Sequence, residues 1–123
     1  MSYVERHTVA ITVDGSGDSI DYTPVVTGKI VSITYTKTDF ANGVDFVVTG
    51  EVSGVPIWTG TNVNATATVA PRQATHDTSG AAALYVAAGT AVNDDIVVAN
   101  ERIKIVTDEG GVSKSGTMHI YVQ

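Results

Sequence analysis

Apolar and polar residues alternate along several short stretches of the chain, with the period of two that predicts β-strands. The stretches with this pattern are 8–13, 20–22, 26–37, 44–51, 57–58, 63–69, 95–99, 102–107 and 117–122. In the longest of them, Val31, Ile33 and Tyr35 fall on one face, and Ile30 falls on the other. The length and apolar content of this stretch indicate a central strand.

Turn-forming residues separate these stretches. Residues 14–18 are rich in Gly and Asp, which tolerate positive φ or bond to their own backbone, and they predict a hairpin turn between the first two strands. The Asn-Gly pair at 42–43 favours left-handed turn geometry. The glycines at 110–111 predict the turn between the last two strands. The acidic pairs at 94–95 and 108–109 are interpreted as solvated turn charges.

Two adjacent stretches lack the alternation of a strand. Residues 71–80 begin with Pro71, have no periodicity and predict a long irregular loop, which is typically either functional or disordered. Residues 81–88 are rich in alanine, the best helix former, and Gly89 is suited to end a helical turn there. A helical turn and a strand remain equally compatible with 81–88.

About eight short strands with turn signals between them, in a chain of 123 residues, predict one all-β domain that spans 1–123. We expect a single-domain antiparallel β-sandwich of jelly-roll type, with a small β-barrel as the alternative. Residues 1–7 are predicted to form a flexible N-terminal arm. The order of the strands does not follow from periodicity, because both architectures pair strands that are distant in sequence.

The composition narrows the class of protein. Valine, isoleucine and threonine recur while Leu84 is the only leucine, and this β-branched bias favours sheets over helices. The chain has no cysteine, which excludes disulfides and cysteine-based metal centres. The formal net charge is -6 and the basic residues are scattered, which argues against nucleic-acid partners. No apolar run approaches the ~20 residues that span a bilayer, so we expect no membrane partner.

One polar cluster resembles a calcium-binding loop in its first positions. Asp14, Ser16 and Asp18 alternate as calcium ligands do. However, Ser19 stands where the bend of such a loop needs glycine, and Val25 stands where a glutamate would close the site. We therefore interpret the cluster as a turn and expect no metal and no cofactor.

A second polar cluster contains the residue types of a hydrolase. His76, Asp77 and Ser79 are nearly adjacent in sequence, whereas the members of a catalytic triad converge from separate parts of a fold. The preferred interpretation is a loop held by local bonds between side chains and backbone. We expect no enzyme activity.

Two ring-bearing residues have structural and functional interpretations. Trp58, the only tryptophan, is interpreted as an anchor in the core or in an interface, and the alternative is a platform that stacks on a sugar. His119 alternates with Met118 and Ile120, which predicts that it lies on the exposed or interface face of the last strand.

Several motifs are shared with one group of proteins. They are GKIVSITY at 28–35, FANGVDFVVTGE at 40–51, IW at 57–58, VNA at 63–65, VAPRQ at 69–73, THD at 75–77, ERIKIV at 101–106 and GT at 116–117. With these motifs the chain resembles small proteins encoded among the head genes of tailed bacteriophages and prophages. The likeness covers most of the chain.

The resemblance implies a non-enzymatic virion structural protein, namely a capsid decoration (cement) protein on the exterior of an icosahedral head. Its partner would be the major capsid protein, on which a homo-oligomer, dimer or trimer, is expected. The N-terminus shows no secretory signal, so we expect synthesis in the cytoplasm of the bacterial host. The candidate interface residues are Trp58, Pro71, Arg72, His76, Asp77 and Phe40. The alternatives are a head-to-tail connector or minor tail protein, and a carbohydrate-binding β-sandwich module.

Overall fold

The computed structural model describes residues 3–123, and within them the chain forms ten strands and no helix. The strands are β1 Glu5–Thr12, β2 Ser19–Tyr22, β3 Val26–Lys37, β4 Asp45–Gly50, β5 Pro56–Gly60, β6 Ala67–Val69, β7 Arg72–Ala74, β8 Asn93–Glu101, β9 Ile103–Asp108 and β10 Ser115–Val122. All pairings between them are antiparallel. The bounds of β3 are those predicted from its alternation.

The strands form two sheets that pack face to face. The first sheet has the order β1-β10-β3-β8-β7, with β6 paired to the part of β3 that β8 does not cover. The second sheet has the order β2-β9-β4-β5. The pairs β1 with β10, β2 with β9, β3 with β8 and β4 with β5 nest inside one another in sequence and alternate between the sheets. This is the jelly-roll arrangement, and the predicted antiparallel β-sandwich is confirmed.

The core lies between the two sheets and is made mainly of β-branched residues with three buried aromatic rings. Tyr35 and Phe46 have ring centroids 4.8 Å apart, and Phe40 lies 6.0 Å from Phe46. The other fully buried large side chains are Ile11, Ile30, Ile33, Val44, Val48, Ile96, Ile103, Ile105, Met118 and Ile120. The valine and isoleucine bias of the sequence therefore fills a core with residues suited to pleated strands.

The inner face of β3 departs from strict alternation at one residue. Tyr121 of β10 pairs with Ser32 and Val122 pairs with Ile30, so Val31 is an extra residue on β3. Because a bulge of this kind adds one residue to the strand, side chains that precede it in sequence point to the opposite face of the sheet from the one that strict alternation predicts. As a result Ile30 is fully buried, although the alternation assigned it to the opposite face from Ile33 and Tyr35.

The hairpin predicted at residues 14–18 is wrong, because these residues join β1 to β2, which lie in different sheets. Residues 109–114 join β9 to β10, as the glycines at 110–111 predict, and this turn also crosses from one sheet to the other. The two turns pack against each other, and the Gly110 N–H donates to the Gly17 carbonyl at 2.9 Å. Gly17 has φ +84°, and a Cβ there would lie 3.1 Å from the backbone of Gly110 and Gly111. Glycine and aspartate favour a turn in either case, so these residues do not show whether the strand after the turn pairs with the strand before it or belongs to the other sheet.

The N-terminal segment is more ordered than predicted. Glu5, Arg6 and His7 belong to β1 and pair with Val122, Tyr121 and Ile120, so the flexible-arm prediction is wrong for them. The first two residues of the predicted arm lie outside the described residues.

Candidate interface at the edge of the first sheet

A long excursion leaves the edge of the first sheet between β7 and β8. We call residues 75–92 the β7–β8 loop. Its ends are joined, since the Thr75 N–H donates to the Val92 carbonyl at 2.8 Å. Within it, the Ala83 N–H donates to Thr75 at 3.0 Å and the Val92 N–H donates to Ala83 at 2.9 Å. The part of 71–80 that was predicted as irregular thus contains β7 and one side of a small hydrogen-bonded ladder.

Residues 81–88 form neither the helical turn nor the strand that the sequence left open. Isolated bridges pair Ala82 with His76 and Leu84 with Ala91. The chain then turns back at Ala88, which has φ 56°. A helical turn in so short a stretch forms too few hydrogen bonds to offset the free-energy cost of helix nucleation. Pairing with the segments before and after it holds the start of this stretch extended instead.

The turn of the β7–β8 loop carries three consecutive exposed apolar side chains. Leu84 is 40% exposed, Tyr85 72% and Val86 68%. Scattered exposed apolar residues are ordinary in soluble proteins, whereas contiguous apolar patches mark contact sites. The sequence interpretation missed this patch. The sequence carried one sign of the patch: the only leucine of the chain stands next to a tyrosine and a valine, in a stretch where apolar and polar residues do not alternate.

Arg72 lies at the base of the loop, on β7. Its Nη1 donates to the Val31 carbonyl at 3.1 Å and to the Pro71 carbonyl at 2.8 Å. Its Nε lies 3.1 Å from an Asp95 carboxylate oxygen. The side chain therefore ties the edge strand β7 to the bulge in β3 and to β8. Asp95 and Asp94 belong to β8, so their interpretation as turn charges is wrong.

Asp77 and His76 occupy the outer part of the loop. One Asp77 carboxylate oxygen accepts hydrogen bonds from the Ser79 N–H at 2.8 Å and the Ala81 N–H at 3.0 Å. This confirms the prediction of a loop held by local bonds between side chain and backbone. His76 is exposed beside this turn.

Two of the candidate interface residues lie elsewhere. Phe40 is 2% exposed and packs between the sheets near Tyr35, so its prediction as a contact residue is wrong. The aromatic ring fills core space that the loop position of Phe40 in the sequence did not reveal. Trp58, on β5, is half-buried and stacks on Phe46 with ring centroids 5.9 Å apart. Pro71, Arg72, His76 and Asp77 remain together at the β7–β8 edge.

The outer face of the first sheet carries a polar row. Thr8, His119, Thr34 and Thr68 are neighbours in register across β1, β10, β3 and β6. The Thr8 hydroxyl lies 3.0 Å from His119 Nδ1, and the Thr34 and Thr68 hydroxyls are 3.2 Å apart. The predicted position of His119 on the outer face of the last strand is confirmed.

Acidic side chains gather where β1 leads into β2. Asp14 accepts hydrogen bonds from the Asp18 N–H at 3.1 Å and the Ser16 N–H at 2.8 Å, and these donors lower the pKa of Asp14. The pKa of Asp18 is raised, first by its hydrogen bond with Asp108 and then by burial. Residues 3–123 contain no group of three or more His, Asp or Glu side chains placed to hold a metal ion.

The described part of the chain has no helix that is long and apolar enough to cross a membrane. The sequence matches no protein-family model and no curated protein. Fold and geometry together define a jelly-roll protein with an exposed apolar loop at one sheet edge.

Proposed function

We propose that the protein is a non-enzymatic virion structural protein, a bacteriophage capsid decoration (cement) protein that binds the outer surface of the head and stabilises contacts between capsomers. The observation that carries the proposal is the β7–β8 loop, which is braced by its own backbone bonds yet presents Leu84, Tyr85 and Val86 to solvent. Its partner is the major capsid protein.

The fold supports this proposal at the level of class. Jelly rolls recur in viral capsid and lectin domains, where a rigid double sheet carries variable loops. The motifs shared with phage head-region proteins extend over β3, β4 and the start of the β7–β8 loop. Fold alone does not define function, so the loop and not the sandwich has to account for binding.

The loop has the properties that binding to a preformed capsid requires. Complete burial of an exposed side chain such as Leu or Val contributes about 1.5–3 kcal/mol, so burial of these three adjacent side chains against the head favours binding. Tyr85 adds a hydroxyl that is able to bond at the rim of a contact. Because the loop is already ordered by the Thr75 to Val92 closure, it loses little conformational freedom on binding.

The sugar-platform alternative is weaker on this structure. A platform needs an aromatic face open to the ligand, whereas Trp58 is half-buried and stacks on Phe46. A connector or minor tail protein would differ from a decoration protein in the symmetry with which its copies are arranged on the head.

The test adds purified protein to heads that lack it and locates the added density by electron cryomicroscopy. Density at capsomer junctions over the whole shell supports the proposal. A single ring at one vertex would assign the protein to the connector, and heads without added density would reject both.

A further inference from the structure

The two sheets end in five edge strands, and four of them are protected against pairing with another strand. β2 has four residues and includes Asp21, β5 begins with Pro56, and β6 and β7 have three residues each. Short length, charge and proline are the usual means by which edge strands avoid association. β1 has eight residues, and its positions 8–12 contain no charge, proline or glycine.

The free backbone groups of β1 can be assigned from its pairing with β10. The Val13 N–H donates to the Lys114 carbonyl at 3.0 Å, so odd-numbered residues direct their backbone groups towards β10. The even-numbered residues Arg6, Thr8, Ala10 and Thr12 therefore direct their N–H and C=O groups away from the sheet. In residues 3–123 no strand lies on that side of β1.

We propose that this edge pairs with β1 of a second copy of the chain, antiparallel and around a two-fold axis at Val9. In this register Arg6 lies opposite Thr12 of the other copy, and Thr8 lies opposite Ala10. All the free N–H and C=O groups of the four even-numbered residues are then used. The first sheets of the two copies become one continuous sheet, and the contact is closed and symmetric.

Charge selects this register over its neighbours. Arg6 has no ion pair among the described side chains, and the axis at Val9 places it opposite Thr12 of the other copy, two residues before the acidic turn that carries Asp14 and Asp18. An axis at Ala10 would need the Asp14 N–H, which already donates to the Asp18 carbonyl at 3.0 Å. An axis at Thr8 would leave Thr12 opposite Val4, outside the strand.

The dimer goes beyond the proposed function. Because it is measured in the absence of heads, the dimer proposal and the proposal of head binding can fail independently of each other. The expected mass in solution is that of two 12.8 kDa chains, measured by light scattering in a concentration series up to about 0.1 mM, far above a micromolar Kd. Ala10→Pro removes an N–H that faces the free edge and leaves the bonds to β10 intact, so a monomer is expected.

A charged variant with a matched control separates pairing from folding. Ala10→Lys places a lysine beside Arg6 of the other copy and is expected to give a monomer. Thr117→Lys lies next to Ala10 on β10, on the same face but away from the edge, and is expected to remain a dimer.

Cysteine cross-linking tests the register, because the chain has no cysteine of its own. Residues directly opposite in such a pair have Cα atoms about 5.5 Å apart, a separation that a disulfide spans. A mixture of Thr8→Cys and Ala10→Cys proteins is expected to cross-link more than either protein alone.

Three results would overturn the proposal: a monomeric wild-type protein at the highest concentration, a dimer that persists in both Ala10 variants, or equal cross-linking of mixed and unmixed samples. A monomeric wild-type protein whose Ala10→Pro variant also fails to bind heads would assign the edge to a strand of the capsid protein instead.

Discussion

Glu101, at the end of β8 in the first sheet, accepts hydrogen bonds from Ser53, in the turn between β4 and β5 of the second sheet. One Glu101 carboxylate oxygen lies 3.0 Å from the Ser53 nitrogen and 3.2 Å from its hydroxyl. The same oxygen accepts the Val52 N–H at 2.9 Å. Glu101 is 7% exposed, and a Cβ on Gly50 would lie 2.6 Å from that oxygen. A carboxylate 48 residues away in sequence thus fixes this turn and joins the two sheets at one end.

The first prediction concerns acid stability. The Ser53 N–H, more than any other group, lowers the pKa of Glu101 below its ordinary value of 4.5. A lowered carboxylate pKa stabilises the fold above pH 4.5, and this contribution is lost as pH falls through the folded-state pKa. Glu101→Gln should therefore lower Tm near neutral pH, with the deficit shrinking as pH falls towards about 3. A deficit that is the same at every pH in a thermal melt series would contradict this role.

The second prediction has the opposite sign. Because the Asp108 carboxyl raises the pKa of Asp18, the folded state binds the Asp18 proton more tightly than the unfolded state does. The resulting penalty on folding begins as pH rises above the ordinary value of 3.8 and is complete above the folded-state pKa. Asp18→Asn removes the repulsion and should raise Tm near pH 7, with a gain that vanishes towards about pH 4. A lower Tm near pH 7 would show that the two carboxyl groups do not oppose folding.

The third prediction concerns a buried hydroxyl. Burial raises the pKa of Tyr35 to about 12, and its hydroxyl has no hydrogen-bond partner in the described chain. An unsatisfied buried hydroxyl costs at least about 1 kcal/mol, so Tyr35→Phe should raise the free energy of unfolding by about that amount in denaturant melts. Tyr121→Phe, on the outer face of β10, is the control and should change little. Destabilisation by Tyr35→Phe would mean that the hydroxyl is satisfied.

The fourth prediction separates the candidate residues by what they contact. Trp58→Ala removes a ring that stacks on Phe46 and should cost about 3 kcal/mol of stability. Arg72→Ala breaks a surface ion pair with Asp95 and two hydrogen bonds to backbone carbonyls, and should cost less, about 1–2 kcal/mol. If chemical denaturation gave the two variants equal losses, the assignment of Trp58 to the core margin would be wrong.

The sequence predicted the strands better than their partners. β3 was predicted to its ends because threonine, valine and isoleucine alternate along it, but the facing of Ile30 was not, since a bulge depends on the register with β10. The pairing of Glu5 with Val122 spans nearly the whole chain. No local pattern encodes such contacts, and the same is true of the β2 to β9 pair.

The candidate site was predicted only in part. Pro71 and the lack of alternation between apolar and polar residues after it located the β7–β8 edge. Asp77 accepts a hydrogen bond from the backbone two residues further on, as predicted for a turn. Phe40 was misassigned because it lies in the loop between β3 and β4 and its burial depends on packing against Phe46, six positions further along the chain in β4. Tyr85 and Val86 were missed because exposure of an apolar residue is decided by the surrounding fold.

The measurement that tests the central claim most directly is the number of copies bound per head in a co-sedimentation assay with heads that lack the protein. Wild-type protein should saturate the heads. A Tyr85→Ser, Val86→Ser double variant should bind at least about tenfold more weakly, since two apolar contacts are lost. Val52→Ser, at an even more exposed apolar position on the β4 to β5 turn, should bind as wild type does. Undiminished binding by the double variant would contradict the account, as would wild-type protein that leaves the heads bare.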